Sequence, residues 1–366
     1  MTKKILIVGA GFSGAVIARE LAEQGYRVTV IDKRDHLAGN AYDFVNEIGV
    51  RVHKYGPHLF HTSNQKVVDW LSRFTGWLPY QHKVKAQLED GRYVTLPVNA
   101  ETAEIVGRDN IVDVFFKPYT EKMWGIRFDD VDGDVLSRVP VRDDMNELYF
   151  PNDSFQAMPD RGYVQIFENI LAHDNIEVLL NRAYQPGEEA NYDHTFNSMP
   201  IDEFFGNCYG ELPYRSIKFH TTTVPVPRLL PTATVNFTHR EPYTRVTEWK
   251  LLPNHGNPPA QTTITVEEPC DYRDNNLERY YPVKDKSGKN RELYKKYEAI
   301  VPANMTFIGR CGLYAYLDMH QAISSALAVA SGFLATSADG EVHAFALPAD
   351  AAMAAPEAVR KASALG

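Results

Sequence analysis

The stretch ILIVGAGFSGAVIARELAEQGYRVTVID, residues 5–32, decides the fold of this chain. Its first four residues form a continuous apolar run, which predicts a central strand of a parallel sheet. Residues 15–24 carry apolar side chains at helical spacing, and Gly25 ends that helix. Residues 26–31 predict a second strand. The stretch therefore predicts a complete β-α-β unit.

Three glycines join the first strand to the helix in the pattern G-x-G-x-x-G. Gly9 permits the tight turn, Gly11 lets the backbone approach a pyrophosphate, and Gly14 lets the helix pack closely on the strands. The helix N-terminus presents free N–H groups to the phosphates. Asp32 ends the second strand and can accept hydrogen bonds from ribose hydroxyls. Because every part of the unit has the expected spacing, it predicts a bound dinucleotide rather than an empty turn.

Composition and charge narrow the classes of partner. The 366 residues include 47 acidic and 38 basic side chains, which gives a formal net charge of −9. Such a balance argues against nucleic acid as a partner, because phosphate backbones bind basic surfaces. Three widely separated cysteines lack metal-ligand spacing and indicate reduced thiols in a cytoplasmic protein. The apolar runs are too short or too polar for a signal peptide or a transmembrane segment.

The rest of the chain changes character along its length. Residues 100–124 show helical periodicity, and residues 213–283 show β-type alternation broken by prolines. Between these regions a helix is predicted over residues 164–173 and a strand over residues 176–180. The fold class is therefore α/β, with a Rossmann-like domain interrupted by a helical and a β-rich segment.

A second β-α unit lies near the end of the chain. Residues 305–310 predict a strand that stops at glycine, and Asp318 opens an apolar helix from Met319 to about residue 334. In many flavoproteins such a unit returns to the flavin, where the helix start stabilises negative charge on the reduced ring. An ordinary αβ unit explains the pattern equally well. We assign no chemistry to the tail, residues 337–366.

Seven further segments, taken together, resemble the UDP-galactopyranose mutase family. The resemblance covers most of residues 1–335, and the segments occur in the order expected for the family. They are GNAYD (39–43), YGPHLFHT (55–62), YTEKMWG (119–125), RVPVR (138–142), YTR (243–245), YYPV (280–283), and GR (309–310) followed by YLDM (316–319).

The resemblance implies a three-part fold with an FAD-binding domain, a helical bundle and an antiparallel sheet. The expected FAD-binding domain comprises residues 1–80, about 160–212 and 300–336. The helical domain spans about 98–150, and the sheet domain about 81–97 and 213–290. The implied activity interconverts UDP-galactopyranose and UDP-galactofuranose through an adduct of the sugar with N5 of reduced FAD. A homodimer is expected, a nucleotide-diphosphate sugar is the expected partner, and NADH or NADPH is the candidate reductant.

The implied mechanism needs groups that hold a diphosphate while the glycosidic bond breaks. Two family arginines match Arg138 and Arg245, and their forked, permanently charged donors suit a diphosphate. We expect both to be catalytic, as clamps on mobile loops. Arg215 matches a third family arginine near the substrate, although an arginine in a β-rich stretch is more often a solvated surface group.

Tyrosines and other aromatic side chains complete the expected substrate site. By motif, Tyr149, Tyr281 and Tyr316 supply neutral hydroxyl donors. The expected wall for the uracil and the sugar comprises Phe115, Phe116, Tyr119 and Trp124. Packing in a helical core is an equal alternative for Phe115 and Phe116.

His58 and His61 stand at i and i+3, a spacing that metal ligands can use. No third ligand follows at a supporting spacing, so we predict no metal site. In the family this loop lies against the flavin ring, which assigns His58 to the cofactor and His61 to catalysis, including proton movement. His82 is a further candidate for the same cavity. The expected FAD-binding residues are Gly9, Gly11, Phe12, Ser13, Gly14, Asp32, Lys33, Gly39, Asn40, His58, Gly309, Arg310, Tyr316, Asp318 and Met319.

Departures from the family pattern leave the sugar open. Ala38 replaces a family glycine, Ala315 replaces an arginine, and Trp249 stands where a histidine is common. The same chemistry on UDP-N-acetylgalactosamine or on a deoxyhexose nucleotide is therefore an alternative. Two other classes stay open as well. One is a redox flavoprotein of the amine-oxidase type, and the other is a binding module without activity.

Overall fold

The computed structural model describes residues 3–130 and 141–338. Its strands are β1 (Lys4–Val8), β2 (Arg27–Ile31), β3 (Asp43–Val45), β4 (Arg51–His53), β5 (Phe60–Thr62), β6 (Trp77–Pro79), β7 (Val84–Gln87), β8 (Tyr93–Leu96), β9 (Phe155–Pro159), β10 (Ile176–Leu179), β11 (His194–Asn197), β12 (Tyr214–Val224), β13 (Thr234–Phe237), β14 (Arg245–Glu248), β15 (Thr262–Asp271), β16 (Tyr281–Pro282) and β17 (Met305–Phe307). Its α-helices are α1 (Phe12–Glu23), α2 (Gln65–Leu71), α3 (Ala100–Val106), α4 (Lys117–Trp124), α5 (Tyr163–Leu171), α6 (Ile201–Phe204), α7 (Lys289–Glu298), α8 (Gly309–Gly312) and α9 (Met319–Ala338).

The predicted β-α-β unit is confirmed as β1, α1 and β2. The helix ends in a Schellman motif: the N–H groups of Gly25 and Tyr26 donate to the carbonyls of Ala22 and Leu21. Gly25 has a φ of +85°, which a side chain would disfavour. The helix predicted over residues 164–173 and the strand predicted over residues 176–180 are also confirmed, as α5 and β10.

A five-stranded parallel sheet in the order β10-β2-β1-β11-β17 forms the Rossmann-like part of the fold. The chain first builds outward from β1 through β2 to β10 and then returns to place β11 on the other side of β1. In such sheets, ligands bind where the strand order reverses, beyond the carboxyl ends of the strands. That point lies directly after β1, at the glycine loop.

The late β-α unit packs against this sheet. Its helix α9 buries Ile323, Ala326 and Phe333, and the Phe333 ring contacts Tyr26 at 5.9 Å and Phe196 at 5.3 Å. The run therefore forms a buried core helix, as predicted. Among residues 3–130 and 141–338, no helix combines the length and the apolar character that crossing a membrane requires.

A seven-stranded sheet in the order β16-β12-β15-β14-β13-β7-β8 forms the β-rich part. It is antiparallel, as predicted, except that β13 and β7 pair in parallel, with Thr234 opposite Val84. The two strands come from distant parts of the chain, and local alternation carries no information about the direction of such a pairing. The domain boundaries given above remain predictions.

The predicted helical segment is less regular than its periodicity indicates. A π-helical turn covers Val112–Phe116 between α3 and α4. Residues 141–150 contain no helix, since short polar side chains bind the backbone instead: the Asn146 N–H donates to Asp144, and the Leu148 N–H donates to Asn146. Arg138 lies outside the described residues, as does the predicted tail beyond residue 338.

Candidate active site

The glycine loop is fixed by close contacts that exclude a side chain. Gly9 has a φ of +105°, and a Cβ there would lie 2.0 Å from the Ser198 Oγ, beyond the end of β11. A Cβ on Gly14 would lie 2.0 Å from the Gly9 carbonyl oxygen and 3.0 Å from Ile7. These contacts hold α1 tightly against β1, as the spacing of the motif predicts.

The mouth of this loop fits the pyrophosphate of a dinucleotide. The N-cap residue of α1 is Gly11, so no side chain binds the free N–H groups of the helix, and the first turn carries no acidic residue. Its N–H groups and the positive end of its dipole are therefore available to an anion. A Cβ on Gly11 would lie 3.8 Å from the Gly39 Cα, and a Cβ on Gly39 would lie 3.0 Å from the Gly11 Cα, so the two backbones pass close together at the helix N-terminus.

Asp32 is buried at the end of β2, and its carboxylate shapes the loop. It accepts hydrogen bonds from the N–H groups of Ala10, at 2.8 Å, and Arg34, at 2.9 Å. Arg34 in turn donates to the side chain of Asn40 and pairs with Glu278 from the β-rich part. This pairing ties the predicted cofactor residues Asp32 and Asn40 to the second half of the molecule.

The other predicted residues around the loop differ in their surroundings. The Phe12 ring is buried against Phe167 at 4.6 Å, so its main-chain N–H is the part that faces the helix entrance. Lys33 is exposed. Ser13 is buried, and a Cβ on Gly309 would lie 3.4 Å from its Oγ. The late β-α unit therefore meets the glycine loop directly.

Arg310 follows Gly309 and organises the segment that leads to α9. Its guanidinium donates to the carbonyls of Leu317, at 2.7 Å, and Tyr280, at 3.3 Å, and lies 4.8 Å from the Tyr316 ring. The Asp318 N–H donates to Gln321, which caps the helix that begins at Met319. Arg310 therefore connects Gly309, beside the glycine loop, to the segment of Tyr316 and Leu317 that precedes the helix.

Arg245 starts β14 and faces Glu267, its registered partner on β15. The Arg245 Nε lies 2.7 Å from the Glu267 Oε1, so the two side chains form an ion pair. The Glu267 side chain is 1% exposed, whereas that of Arg245 is 28% exposed. Burial raises the pKa of the Glu267 carboxyl, and the charge of Arg245 opposes that rise. The pair thus sets a buried countercharge against an arginine whose side chain is partly exposed.

Three tyrosines from different segments lie close enough to Arg245 to interact electrostatically with it. Desolvation raises the pKa of each hydroxyl, that of Tyr280 to about 12, and the Arg245 charge opposes the rise in each case. Neutral hydroxyl donors therefore surround a permanent cation. The three come from α4, the 141–150 segment and the stretch before β16; they are Tyr119, Tyr149 and Tyr280.

Trp124 and Tyr281 form an aromatic cluster with Tyr316. Their ring centroids lie 5.2 Å apart, and both residues are buried. The Tyr281 hydroxyl donates to the Met123 carbonyl at the end of α4. Arg215 donates to the carbonyls of Met123, at 3.0 Å, and Lys122, at 3.1 Å. Both side chains therefore donate hydrogen bonds to carbonyls at the C-terminus of α4. The sequence alone did not predict these contacts.

Phe115 and Phe116 lie in the π-helical turn and differ in burial. Phe115 is buried in the core between the helical segment and the β7–β8 hairpin, with Val84, Ala86 and Val94. Phe116 packs at the margin of that core and is half-buried. Phe115 therefore packs in the core, as the alternative to a substrate contact predicts. Phe116 is only half-buried, so it is the better placed of the two for a ligand.

The histidines of residues 55–62 occupy two different environments. His58 Nδ1 lies 2.8 Å from the Gly56 carbonyl, and burial lowers the pKa of His58 to about 4. His61 Nδ1 lies 2.6 Å from the Asp153 Oδ2, and its ring stacks on Phe150 at 3.4 Å. His82 is buried, with its pKa lowered by burial to about 3. The two loop histidines thus belong to separate hydrogen-bonded groups, and no group of three metal-ligating side chains occurs among the described residues.

Several residues of this region escape detection in the sequence. Glu267 lies in the strand TTITVEEPCD, where a carboxylate at a position that faces the core is the only local sign of a functional residue. The motif favours Tyr281, but it is the neighbouring Tyr280 that interacts with Arg310 and Arg245. Trp249 is fully buried beside His53 and donates to Thr265, so this departure from the family lies in the core.

Comparisons with known proteins agree with this geometry. A family model described as UDP-galactopyranose mutase matches residues 114–316, and one described as NAD(P)-binding Rossmann-like domain matches residues 7–74. A probable UDP-galactopyranose mutase of Klebsiella pneumoniae is 35% identical, with 93% of this chain and 97% of that protein covered. A dTDP-fucopyranose mutase of Escherichia coli is 34% identical, with 90% and 98% covered. The crystal structure of a reduced UDP-galactopyranose mutase superposes with a TM-score of 0.75 at 18% identity, covering 99% of this chain and 98% of that one.

Proposed function

Because the chain belongs to the UDP-galactopyranose mutase family and is an isomerase, we propose that it interconverts the pyranose and furanose forms of UDP-galactose. The Arg245 guanidinium carries this proposal. Its side chain is partly exposed, it has a buried counterion, and neutral tyrosine hydroxyls lie around it. This arrangement suits a substrate that carries a diphosphate and hydroxyl groups.

The dinucleotide in this proposal is FAD. The uncapped N-terminus of α1 and the side-chain-free backbone of Gly11 suit its pyrophosphate, and Gly309 beside Ser13 brings the late β-α unit to the same place. His58 and Arg310 would then face the flavin end. When bound and reduced, FAD supplies at N5 the nucleophile that holds the sugar while its ring opens and recloses.

Arg245 acts on the leaving group in the proposed reaction. Its fork of donors binds the diphosphate oxygens and stabilises the charge that develops when the bond to the anomeric carbon breaks. Glu267 holds the Nε side of the guanidinium, so that the terminal nitrogens are left for the substrate. Arg138, which matches the second family arginine, is proposed to close over the same diphosphate.

The hydroxyls around Arg245 have a different task. Because desolvation keeps Tyr119, Tyr149 and Tyr280 protonated at neutral pH, each can donate a hydrogen bond to a phosphate or sugar oxygen without adding charge. His61, oriented by Asp153, is the proposed group for moving a proton during ring opening. A carboxylate-bound imidazole of this kind keeps one ring nitrogen for exchange with the substrate.

A deoxyhexose nucleotide is the second candidate substrate. The similarity to the dTDP-fucopyranose mutase, at 34% identity, nearly equals that to the probable UDP-galactopyranose mutase. The diphosphate-binding groups described above are indifferent to the base and to the sugar substituents. We favour UDP-galactose because the family model that matches residues 114–316 carries that name.

The test is turnover by the dithionite-reduced holoprotein, with UDP-galactofuranose and dTDP-fucofuranose compared in parallel and products separated by anion-exchange chromatography. We expect conversion of UDP-galactofuranose to the pyranose, no conversion by the oxidised protein, and a covalent flavin–sugar product after cyanoborohydride treatment. Faster turnover of the dTDP sugar would transfer the proposal to the second substrate. No turnover of either sugar by flavin-loaded, reduced protein would refute it.

Three further properties belong to the same proposal: a homodimer, a cytoplasmic location and reduction by NADH or NADPH. Light scattering after size-exclusion chromatography measures the first. Anaerobic bleaching of the flavin absorbance by NADH or NADPH tests the reductant. If neither nucleotide bleaches the flavin, a nicotinamide reductant is rejected and the mutase proposal is unaffected.

A further inference from the structure

A chain of hydrogen bonds runs through two buried histidines beneath the loop that carries His58. The His58 N–H donates to the His53 Nδ1, at 3.0 Å. The His53 Nε2 lies 3.0 Å from the His255 Nε2, and the His255 Nδ1 lies 2.7 Å from the Pro253 carbonyl oxygen. These contacts connect β4 to the loop before β15, residues that are about 200 positions apart in sequence.

The contacts permit a single arrangement of protons. Because the His58 N–H is a donor, the His53 Nδ1 must carry a lone pair, and a neutral His53 therefore carries its proton on Nε2. That proton requires a lone pair on the His255 Nε2, which places the second proton on Nδ1, where it meets the Pro253 carbonyl. Every donor in the chain then has an acceptor, and all the bonds run in one direction.

The surroundings keep both imidazoles neutral. His53 is 1% exposed and His255 3% exposed, and the rings of Tyr163 and Trp249 pack against His53. The charged side chain that faces them is Arg51, which is paired with Asp43 at 3.1 Å. Burial, the neighbouring histidines and Arg51 lower the pKa of His53 well below its usual range, and burial lowers that of His255 to about 4.

Packing alone does not account for this pair. Two apolar side chains of similar size would fill the same space without the cost of burying four ring nitrogens. What the imidazoles supply is an acceptor for the His58 N–H, while the Tyr163 hydroxyl donates to the His58 carbonyl at 3.1 Å. The peptide of His58 is thus held on both sides.

The held loop also touches the proposed substrate site. Gly56, with a φ of +84°, accepts the Nδ1–H of His58, and a Cβ on Gly56 would lie 3.0 Å from the Glu267 Oε1. With Nδ1 so engaged, the neutral His58 ring keeps its lone pair on Nε2, and its charged neighbours are Arg310 and Arg245. The position of the loop therefore bears on both the proposed flavin contact and the Arg245–Glu267 pair.

We propose that His53 and His255 are positioning residues, which act through the His58 backbone to hold the His58 ring and Gly56 in the geometry that the reaction needs. This role rests on the proposed function, since His58 matters in it as a flavin contact. The contribution of His53 and His255 is the fixed direction of the hydrogen-bond chain.

The test compares His53→Leu, which removes the acceptor, with His53→Asn, whose side-chain oxygen can replace the Nδ1 acceptor. We expect His53→Leu to speed exchange of the His58 amide hydrogen at least tenfold and to lower kcat about tenfold with KM within twofold of the wild-type value. His53→Asn should stay within threefold of wild type in both. Equal amide exchange in all three proteins would overturn the proposal.

A second measurement needs no variant. Nitrogen-15 NMR of histidine-labelled protein, with and without FAD, reports the tautomer of each ring. The proposal requires the Nε2–H form for His53 and the Nδ1–H form for His255, and the opposite form of His53 would overturn it. Because amide exchange and tautomers are measured without substrate, a protein that lacked mutase activity would refute the proposed function and leave this inference to be judged on these data.

Discussion

Replacing Glu267 by glutamine would remove the carboxylate that faces Arg245 while keeping the size of the side chain. Removing one partner of a buried ion pair typically costs about 3–5 kcal/mol. The Arg245 side chain is 28% exposed, so solvent offsets part of that cost, and we expect about 3 kcal/mol. For 366 residues and an unfolding entropy of roughly 2.1 cal/mol/K per residue, this corresponds to a fall in Tm of about 4 °C.

The assay is thermal unfolding of the FAD-loaded protein with and without UDP. UDP should raise the Tm more in Glu267→Gln than in the wild type, because the diphosphate supplies the countercharge that the variant lacks. At a ligand concentration of about 100 times Kd, bound UDP adds roughly 2.7 kcal/mol of stability. Turnover should fall, since the guanidinium loses the partner that fixes its Nε side.

The matched control is Glu268→Gln, the next residue on β15. Glu268 pairs with His220 at 2.7 Å; its side chain is 25% exposed and that of His220 is 50% exposed. Pairs of this kind contribute about 0–1 kcal/mol. If Glu267→Gln unfolds at the same temperature as this control and UDP raises both by the same amount, Glu267 is not the counterion of Arg245 and the reasoning about the clamp is wrong.

The remaining predictions concern the clamp, the glycine loop and pH. Arg245→Ala should lower turnover by about a hundredfold or more with the flavin spectrum unchanged, and Arg245→Lys should recover only part of it; near-normal rates would reject the clamp. Gly14→Ala places a Cβ 2.0 Å from a backbone carbonyl oxygen and should abolish FAD binding, whereas Gly91→Ala meets open space and should cost about 1 kcal/mol, as equilibrium unfolding would measure. His194 is held neutral by burial, which lowers its pKa from 6.5 to about 4. Because the unfolded chain binds the proton more readily, the free energy of unfolding should fall as the pH drops from about 6.5 towards 4, by up to about 1.4 kcal/mol per pH unit from this residue. In urea titrations over this range, His194→Gln should lose less unfolding free energy per pH unit than the wild type.

The sequence determined the elements whose signals are local. The strand, glycine loop, helix and second strand of residues 5–32 follow from apolar periodicity and from turns that tolerate only glycine, and the structure confirms them. The motif segments identified the family, because each fixes several residues at set spacings. The same local rules found α5, β10 and the late helix α9.

Predictions from local sequence failed where the conformation of the backbone or of a side chain depends on a partner that is distant along the chain. The parallel pairing of β13 with β7 and the irregular course of residues 141–150 depend on contacts that no periodicity encodes. Sequence spacing also could not show that Arg215 and Tyr281 bind the end of α4, or that Phe115 faces the core.

The tertiary structure decided which partners the predicted residues have and how their side chains are oriented. Arg245 was visible in the sequence, but its counterion Glu267 becomes its partner only because β14 and β15 pair in one register. His58 was visible too, whereas the histidines that hold its backbone meet only when β4 packs beside the loop before β15. Sequence therefore determined which chemical groups this protein has, and long-range packing decided their charge balance and their orientation, because both depend on neighbours that are remote along the chain.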